Sequence, residues 1–229
     1  MKRLTWKKAV RALQQIAGGR IGRRLVRVLG GRDPRVTFTI AIIALSAKIA
    51  KIDGRVTREE IETFRSMLQI PRGEMANVAR VYNYASRTAL GYEYYARTIA
   101  RTLGYGQPVL EVVLDALLAV ARADGVLSHS EKIALIHIGR IFRLSDEHIH
   151  QRLGSTAGQA PPDPYQTLGV TPDDDIQTIR AAWKRKVMQN HPDALVAKGV
   201  PPEALRLSQG RLRLYNDAWD AIKRHSGVA

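Results

Sequence analysis

Ala50-Lys-Ile-Asp-Gly-Arg-Val-Thr-Arg-Glu-Glu60 has a second copy in this chain. Shifted by 71 residues it realigns on Ala121-Arg-Ala-Asp-Gly-Val-Leu-Ser-His-Ser-Glu131. In each copy an apolar stretch of helical spacing runs into Asp-Gly, at 53–54 and at 124–125. Gly after Asp supplies the φ > 0 position that ends a helix. Thr57 with Glu60, and Ser128 with Glu131, then read as capping boxes: a hydroxyl at the N-cap, and three residues on a carboxylate that reaches back to the N-cap N–H. The repeated unit is therefore a helical hairpin used twice. Phe64 and Leu68 supply the apolar stripe of one second helix, and Leu135, Ile138 and Ile141 that of the other. Elsewhere Val, Ile and Leu recur at helical spacing and turns fall at Gly and Pro, so the predicted fold class is all-α.

Working outward, the repeat fills a middle domain over 36–154. The twelve-residue run Val36 to Ala47, between Arg35 and Lys48, is apolar. A membrane-spanning helix needs about 20 such residues, so no span is expected. Before it lies a leader, 1–35, holding eleven Lys and Arg against one acid, Asp33, out of a net charge of +15 for the whole chain. Ile21, Leu25, Val28 and Leu29 share one helical face opposite Arg20, Arg23, Arg24 and Arg27, and Trp6, Val10, Leu13 and Ile16 group similarly. A basic amphipathic leader of this kind reads as a peripheral anchor on an anionic membrane surface. The other reading is a loosely packed basic tail. An Arg-rich, acid-poor leader also fits a transit peptide. No nucleic-acid partner is expected, because the basic residues accompany no recognition module. There is no cysteine, so thiolate chemistry and disulfides are excluded and a reducing compartment is suited. The expected location is cytoplasmic, peripheral at the inner face of the membrane.

Ser155 to Pro162 (Ser-Thr-Ala-Gly-Gln-Ala-Pro-Pro) reads as a linker. A small C-terminal domain, 163–229, follows. It opens with Asp163-Pro-Tyr-Gln-Thr-Leu-Gly-Val170, a short helix and turn. Thr171 and Pro172 are expected to start a longer helix, with Asp173, Asp174 and Asp175 at its positive N-terminus. Ile176, Ile179, Trp183 and Val187 form its apolar side, and Arg180, Lys184, Arg185 and Lys186 crowd the rest. Arg180 and Lys184 are like charges at i,i+4, a cost of about 0.2–0.5 kcal/mol that suits a helix meeting an acidic partner. Proline disfavours helical geometry in the residue before it, so His191 closes the helix and Pro192 begins a rigid loop presenting Asp193. A third helix, about Pro202 to Arg224, carries Leu205, Leu212, Tyr215, Trp219 and Ile222 as a seam for antiparallel packing.

The duplicated motif resembles the TerB-like helical domain, as found in the DjlA family of DnaJ-like proteins, over nearly all of 36–154. That resemblance implies metal binding through acids near the turns, with Asp53, Glu60, Asp124 and Glu131 as candidates. All four also have local roles as turn and cap residues, and the turns lack the alternating acids of an EF-hand. Residues 163–229 look like a J-domain: "D-P-Y-x-x-L-G-V", a basic helix, His191-Pro192-Asp193, then Tyr215-Asn-Asp-Ala-Trp219. The extended stretch from His191 to Glu203 further resembles the longer loop of DjlA-type J-domains. The resemblance implies a co-chaperone that docks on an ATP-bound Hsp70 of the DnaK type and stimulates its ATP hydrolysis. On matching positions Arg180, Lys184 and Arg185 supply electrostatic contacts and Met188 an apolar one. Asp193 pairs with a cation of the Hsp70, while His191 and Pro192 fix the loop. Trp183 stands where Tyr is usual and reads as core. Ala194 stands at an often basic position and Asn190 at an often aromatic one; both departures bear on affinity.

No cofactor is implied, and the protein is not expected to be an enzyme. An acid–base dyad of His191 and Asp193 has no nucleophile pattern or phosphate loop to serve, and the remaining histidines are scattered. The alternative function is a membrane-surface adaptor or stress-response sensor acting through the middle domain.

Overall fold

A computed structural model describes residues 34–54, 57–68, 75–87, 89–125, 127–154 and 163–226; the leader up to residue 33 and the linker at 155–162 lie outside them. The described residues form eleven helices and no strand. Helix α1, Pro34–Ile49, contains the apolar run, and its side chains from Val36 to Ile49 are buried. It is rich in β-branched residues, which are indifferent helix formers. Enclosure decides the outcome: a helix apolar on all sides is stable only inside a core.

Around α1 are α2 (Arg58–Leu68), α3 (Met75–Ala85), α4 (Tyr92–Leu103), α5 (Pro108–Ala121), α6 (His129–Ile141) and α7 (Asp146–Gly154). The α1 helix touches α3, α4 and α5 directly. The turns and caps of the repeat are realised in both copies; α5 packs on α6, and α2 packs on α5. Gly54 and Gly125 take φ of 95° and 93°. The Ser128 hydroxyl accepts from the Glu131 N–H at 3.2 Å while Glu131 Oε2 accepts from the Ser128 N–H at 2.9 Å. Thr57 and Glu60 repeat this at 3.2 and 2.7 Å. Phe64, Leu68, Leu135 and Ile138 are buried, and Ile141 packs at the core's edge. Gly139 on α6 permits the tight approach of α7: a Cβ there would meet Ile149 at 2.7 Å.

The C-terminal helices are α8 (Pro164–Leu168), α9 (Ile176–Asn190), α10 (Pro192–Ala197) and α11 (Pro202–Ser226). Helix α9 begins later than Thr171–Pro172. Asp175 is its N-cap and accepts from the N–H groups of Gln177 and Thr178, whereas Asp174 holds the Thr171 N–H in the preceding turn at 2.7 Å. His191 closes α9 in extended geometry, as expected. Pro192 does not begin a loop, however. It is the first residue of α10, capped by His191, because proline's fixed φ suits the first helical position, where no N–H is needed.

Two cores result. Leu168, Ile179, Tyr215, Ala218, Trp219 and Ile222 form the smaller, with Trp183 and Val187 against it. Trp183 stacks on Trp219 at 5.3 Å between ring centroids and donates from Nε1 to Asn216 Oδ1 at 3.1 Å. The larger core takes in α1 to α7 and also Leu195, Val200 and Ala204 from beyond the linker, with Leu205 and Leu207 packed on it. The first half of α11 therefore serves the middle domain and its second half the C-terminal one.

Glu60 and Glu131 are both buried. Burial raises the Glu60 carboxyl from 4.5 to about 7, against the hydrogen bonds from Thr57 and with the help of nearby Asp53 and Glu131. Glu131 is raised in the same way. A buried carboxyl with a raised value favours folding while it is protonated and loses that contribution as pH climbs from 4.5 through about 7. Replacing Glu60 by Gln removes this loss. The stability difference between Glu60→Gln and the parent is expected to move by about 2 kcal/mol in the variant's favour from pH about 4.5 to about 7.5. Urea unfolding at a series of pH values measures it, and a difference that does not drift with pH contradicts the assignment.

Candidate functional site

The surface around His191-Pro192-Asp193 is assembled by three helices. Arg180, Lys184, Arg185 and Met188 lie on the outer side of α9 and are exposed, spaced so that they form one stripe. The inner side of α9 is fixed by the Trp183–Trp219 stack and by Ile179. At the helix end His191 Nδ1 accepts from the Asp193 N–H at 3.3 Å, a role that leaves that nitrogen without its proton. The same nitrogen is 3.7 Å from Asp193 Oδ2, a contact that becomes an ion pair only if the ring is protonated. The Asp193 side chain is 93% exposed. The seven docking candidates thus lie on α9 and the turn that follows it, six of them exposed and Pro192 half-buried.

Lys186 departs from the basic face. It points inward, its Nζ 5.4 Å from the Tyr215 ring centroid. Burial lowers its ammonium from the ordinary value, Glu111 opposes this, and Arg211, Arg152 and Arg185 add to the lowering. The signal was available: residue 186 stands seven after Ile179 and three after Trp183, on the apolar stripe. Asn190 follows four later and is also buried. Its Nδ2 donates to the Lys186 carbonyl at 2.8 Å, and its Oδ1 has no hydrogen-bond partner. Both line a cleft of about 260 Å³ between α9 and the middle domain, which contributes Pro108, Glu111 and His148.

Behind the cleft, the two domains are joined by charge. Arg211 of α11, with its side chain 6% exposed, lies 3.2 Å from Glu111 and 3.0 Å from Asp115 of α5. Arg152 of α7 reaches the same two carboxylates at 2.6 Å each. Lys198, after α10, donates to Gln107 Oε1 at 3.4 Å, and Arg206 to the Leu68 carbonyl at 3.3 Å.

The metal candidates fall apart by environment. Asp53 and Asp124 are exposed at the two turns, whereas Glu60 and Glu131 are buried as cap partners. Among the described residues no group of three or more His, Asp or Glu side chains is arranged to hold a metal ion.

The family model described as "Tellurite resistance protein TerB" matches residues 39–153, half of the chain. The chain belongs to the TerB family. Its relatives extend beyond that domain and carry the name "Co-chaperone protein DjlA". That of Pasteurella multocida is 29% identical, over 83% of this chain and 80% of the relative. That of Photobacterium profundum is 25% identical over 92% and 85%, and that of Escherichia coli K12 24% over 90% and 85%. This is a DjlA-type chain. No solved structure matches it.

Removing the Arg211 guanidinium leaves the two partly buried carboxylates to Arg152, with Lys186 and His148 beside Glu111. Such a loss is expected to lower stability by about 2–3 kcal/mol, somewhat under the cost of breaking a fully buried pair. Urea unfolding of Arg211→Ala followed by tryptophan fluorescence checks this. Combining it with Asp115→Asn, which leaves Arg152 paired with Glu111 and restores the charge balance, recovers part of the loss if the charge imbalance is its cause.

Proposed function

We propose that this protein is a J-domain co-chaperone that stimulates ATP hydrolysis by an Hsp70 of the DnaK type, through the exposed face of α9 and the His191-Pro192-Asp193 turn. A DnaJ-like co-chaperone role is supported by relatives named for it over most of the chain. The observation that carries the finer reading is the presentation of Asp193. Its carboxylate stands 93% exposed at the end of a stripe of exposed cations, held by a cap that His191 provides. An acid isolated beside a basic row suits a partner surface that is acidic along one strip and carries a cation at its end. The basic row raises association rate and specificity and makes binding salt-sensitive.

No step of this function requires chemistry by the protein itself. It shifts the partner's equilibrium only as far as it binds one partner state better than another. The TerB and co-chaperone relatives support a non-catalytic protein. The roles proposed are Arg180, Lys184 and Arg185 for electrostatic contacts, Met188 for an apolar one, Asp193 for a cation on the Hsp70, and His191 with Pro192 for the geometry. The test is single-turnover ATP hydrolysis by the Hsp70 with and without this protein. The parent is expected to accelerate it; Asp193→Asn and His191→Gln are expected to lose at least tenfold of the stimulation, since a lost charge-assisted contact is worth about 1.5–3 kcal/mol. Stimulation by both variants equal to the parent's overturns the reading.

We assign the basic leader, which lies outside the described residues, to peripheral binding of an anionic membrane surface. No helix among the described residues is long and apolar enough to cross a membrane. Binding to liposomes containing anionic lipid is expected to fall with salt and to vanish for a chain starting at Val36. Equal binding by that shorter chain excludes the leader as the anchor.

A further inference from the structure

The described residues leave six large apolar side chains exposed, and two of them bracket the His-Pro-Asp turn. Met188, 71% exposed, stands three residues before His191. Val196, 58% exposed, stands three residues after Asp193. Single exposed apolar side chains are ordinary on protein surfaces and need no explanation. The position and the support of Val196 are what set it apart.

Helix α10 has a buried side and an open side. Leu195 is 2% exposed and belongs to the middle domain's core, with Val200 and Ala204 following it there. The Lys198 N–H bonds back to the Ala194 carbonyl and the Val200 N–H to the Leu195 carbonyl, which closes the helix end. Lys198 Nζ also reaches Gln107 of the middle domain. Asp193 and Val196 are i and i+3 on this helix, hence neighbours on one face, and with Ala197 they form the exposed side. The turn carrying Val196 is therefore fixed by burial of its opposite side, and Val196 faces outward beside the carboxylate.

We propose that Val196 is a docking contact, so that the Hsp70 surface engaged by this protein extends past Asp193 along α10 onto an apolar patch. This rests on the function proposed above. The occupant follows from continuity: Asp193 and Val196 share one helical face, and a partner that pairs a cation with the Asp193 carboxylate must cover that turn. An apolar contact there adds affinity without adding charge. It also makes the middle domain part of the docking unit, because Leu195 holds the helix in place.

The experiment measures single-turnover ATP hydrolysis by a DnaK-type Hsp70 against increasing concentrations of the full chain. Val196→Ser is expected to raise the half-saturating concentration about fivefold while the maximal rate is kept, the loss fitting burial of part of a valine side chain. Val196→Ile is expected to match the parent or improve on it. A thermal unfolding midpoint within about 2 °C of the parent's, as for most exposed substitutions, confirms that the fold is intact. If Val196→Ser behaves like the parent while Asp193→Asn loses stimulation, the docking contact is overturned and the co-chaperone reading stands. If Asp193→Asn also behaves like the parent, both fall. A second copy of the chain on this face would appear as self-association in sedimentation that Val196→Ser abolishes, with the Hsp70 response unchanged, and that result overturns the proposal too.

Discussion

Because α1 carries no continuous polar face, it has to be enclosed from every direction, and the rest of the molecule answers to that need. Helices α3, α4 and α5 cover it from within the middle domain, and the wall is completed by α11, the last helix of the chain. Even the lysine near its end is accommodated internally: Lys48 Nζ donates to the Leu90 carbonyl at 2.7 Å, and burial lowers its ammonium against the pull of Glu93. A buried charge without such partners would cost several kcal/mol.

The contribution of α11 to that wall explains the joint between the domains. A helix of 25 residues spans about 37 Å, enough to serve two cores in succession. Its first half gives Ala204 and Leu205 to the larger core, and its second half gives Tyr215, Trp219 and Ile222 to the smaller. Arg211 lies between them, where the Glu111 and Asp115 carboxylates meet it. Ion pairs of this kind add little net stability over apolar packing. Their effect is directional, since a guanidinium shared by two carboxylates permits few relative orientations of α5 and α11.

Local rules made much of this legible from residues alone. The Asp-Gly turns and the Thr57 and Ser128 caps were readable because each is satisfied within four residues of chain. His191 as the end of α9 was readable from the proline that follows it, and Arg180, Lys184 and Arg185 from the basic face of the helix, whereas Met188 came from the J-domain resemblance. What escaped is decided at a distance. Lys186 sits on the apolar stripe of α9 yet is a cation, and charge outweighed register in its reading; Glu111, which compensates it, is 75 residues earlier. Helix α10 escaped because proline is both a breaker within a helix and a favoured first residue, and only the burial of Leu195 in the other domain's core settles which applies. Leu205 was placed on the C-terminal seam by its spacing, whereas it packs on the larger core: one helical face runs past two different neighbours.

These long-range choices converge on His191. The residue ends α9 and caps α10, so the direction of Asp193 is set by two helix axes at once. One axis is fixed by the Trp183–Trp219 stack in the small core. The other is fixed by Leu195 in the large core. A carboxylate on a free loop would have to be ordered when a partner binds, at about 0.5–1.5 kcal/mol for each immobilised side chain and more for backbone. Here the backbone that carries Asp193 is already set by both helices, from the middle domain as much as from the small one, while the carboxylate itself stays 93% exposed. The tripeptide is therefore a joint between two domains, and the apolar demand of α1, which draws α11 into the larger core, is what holds the joint at its angle.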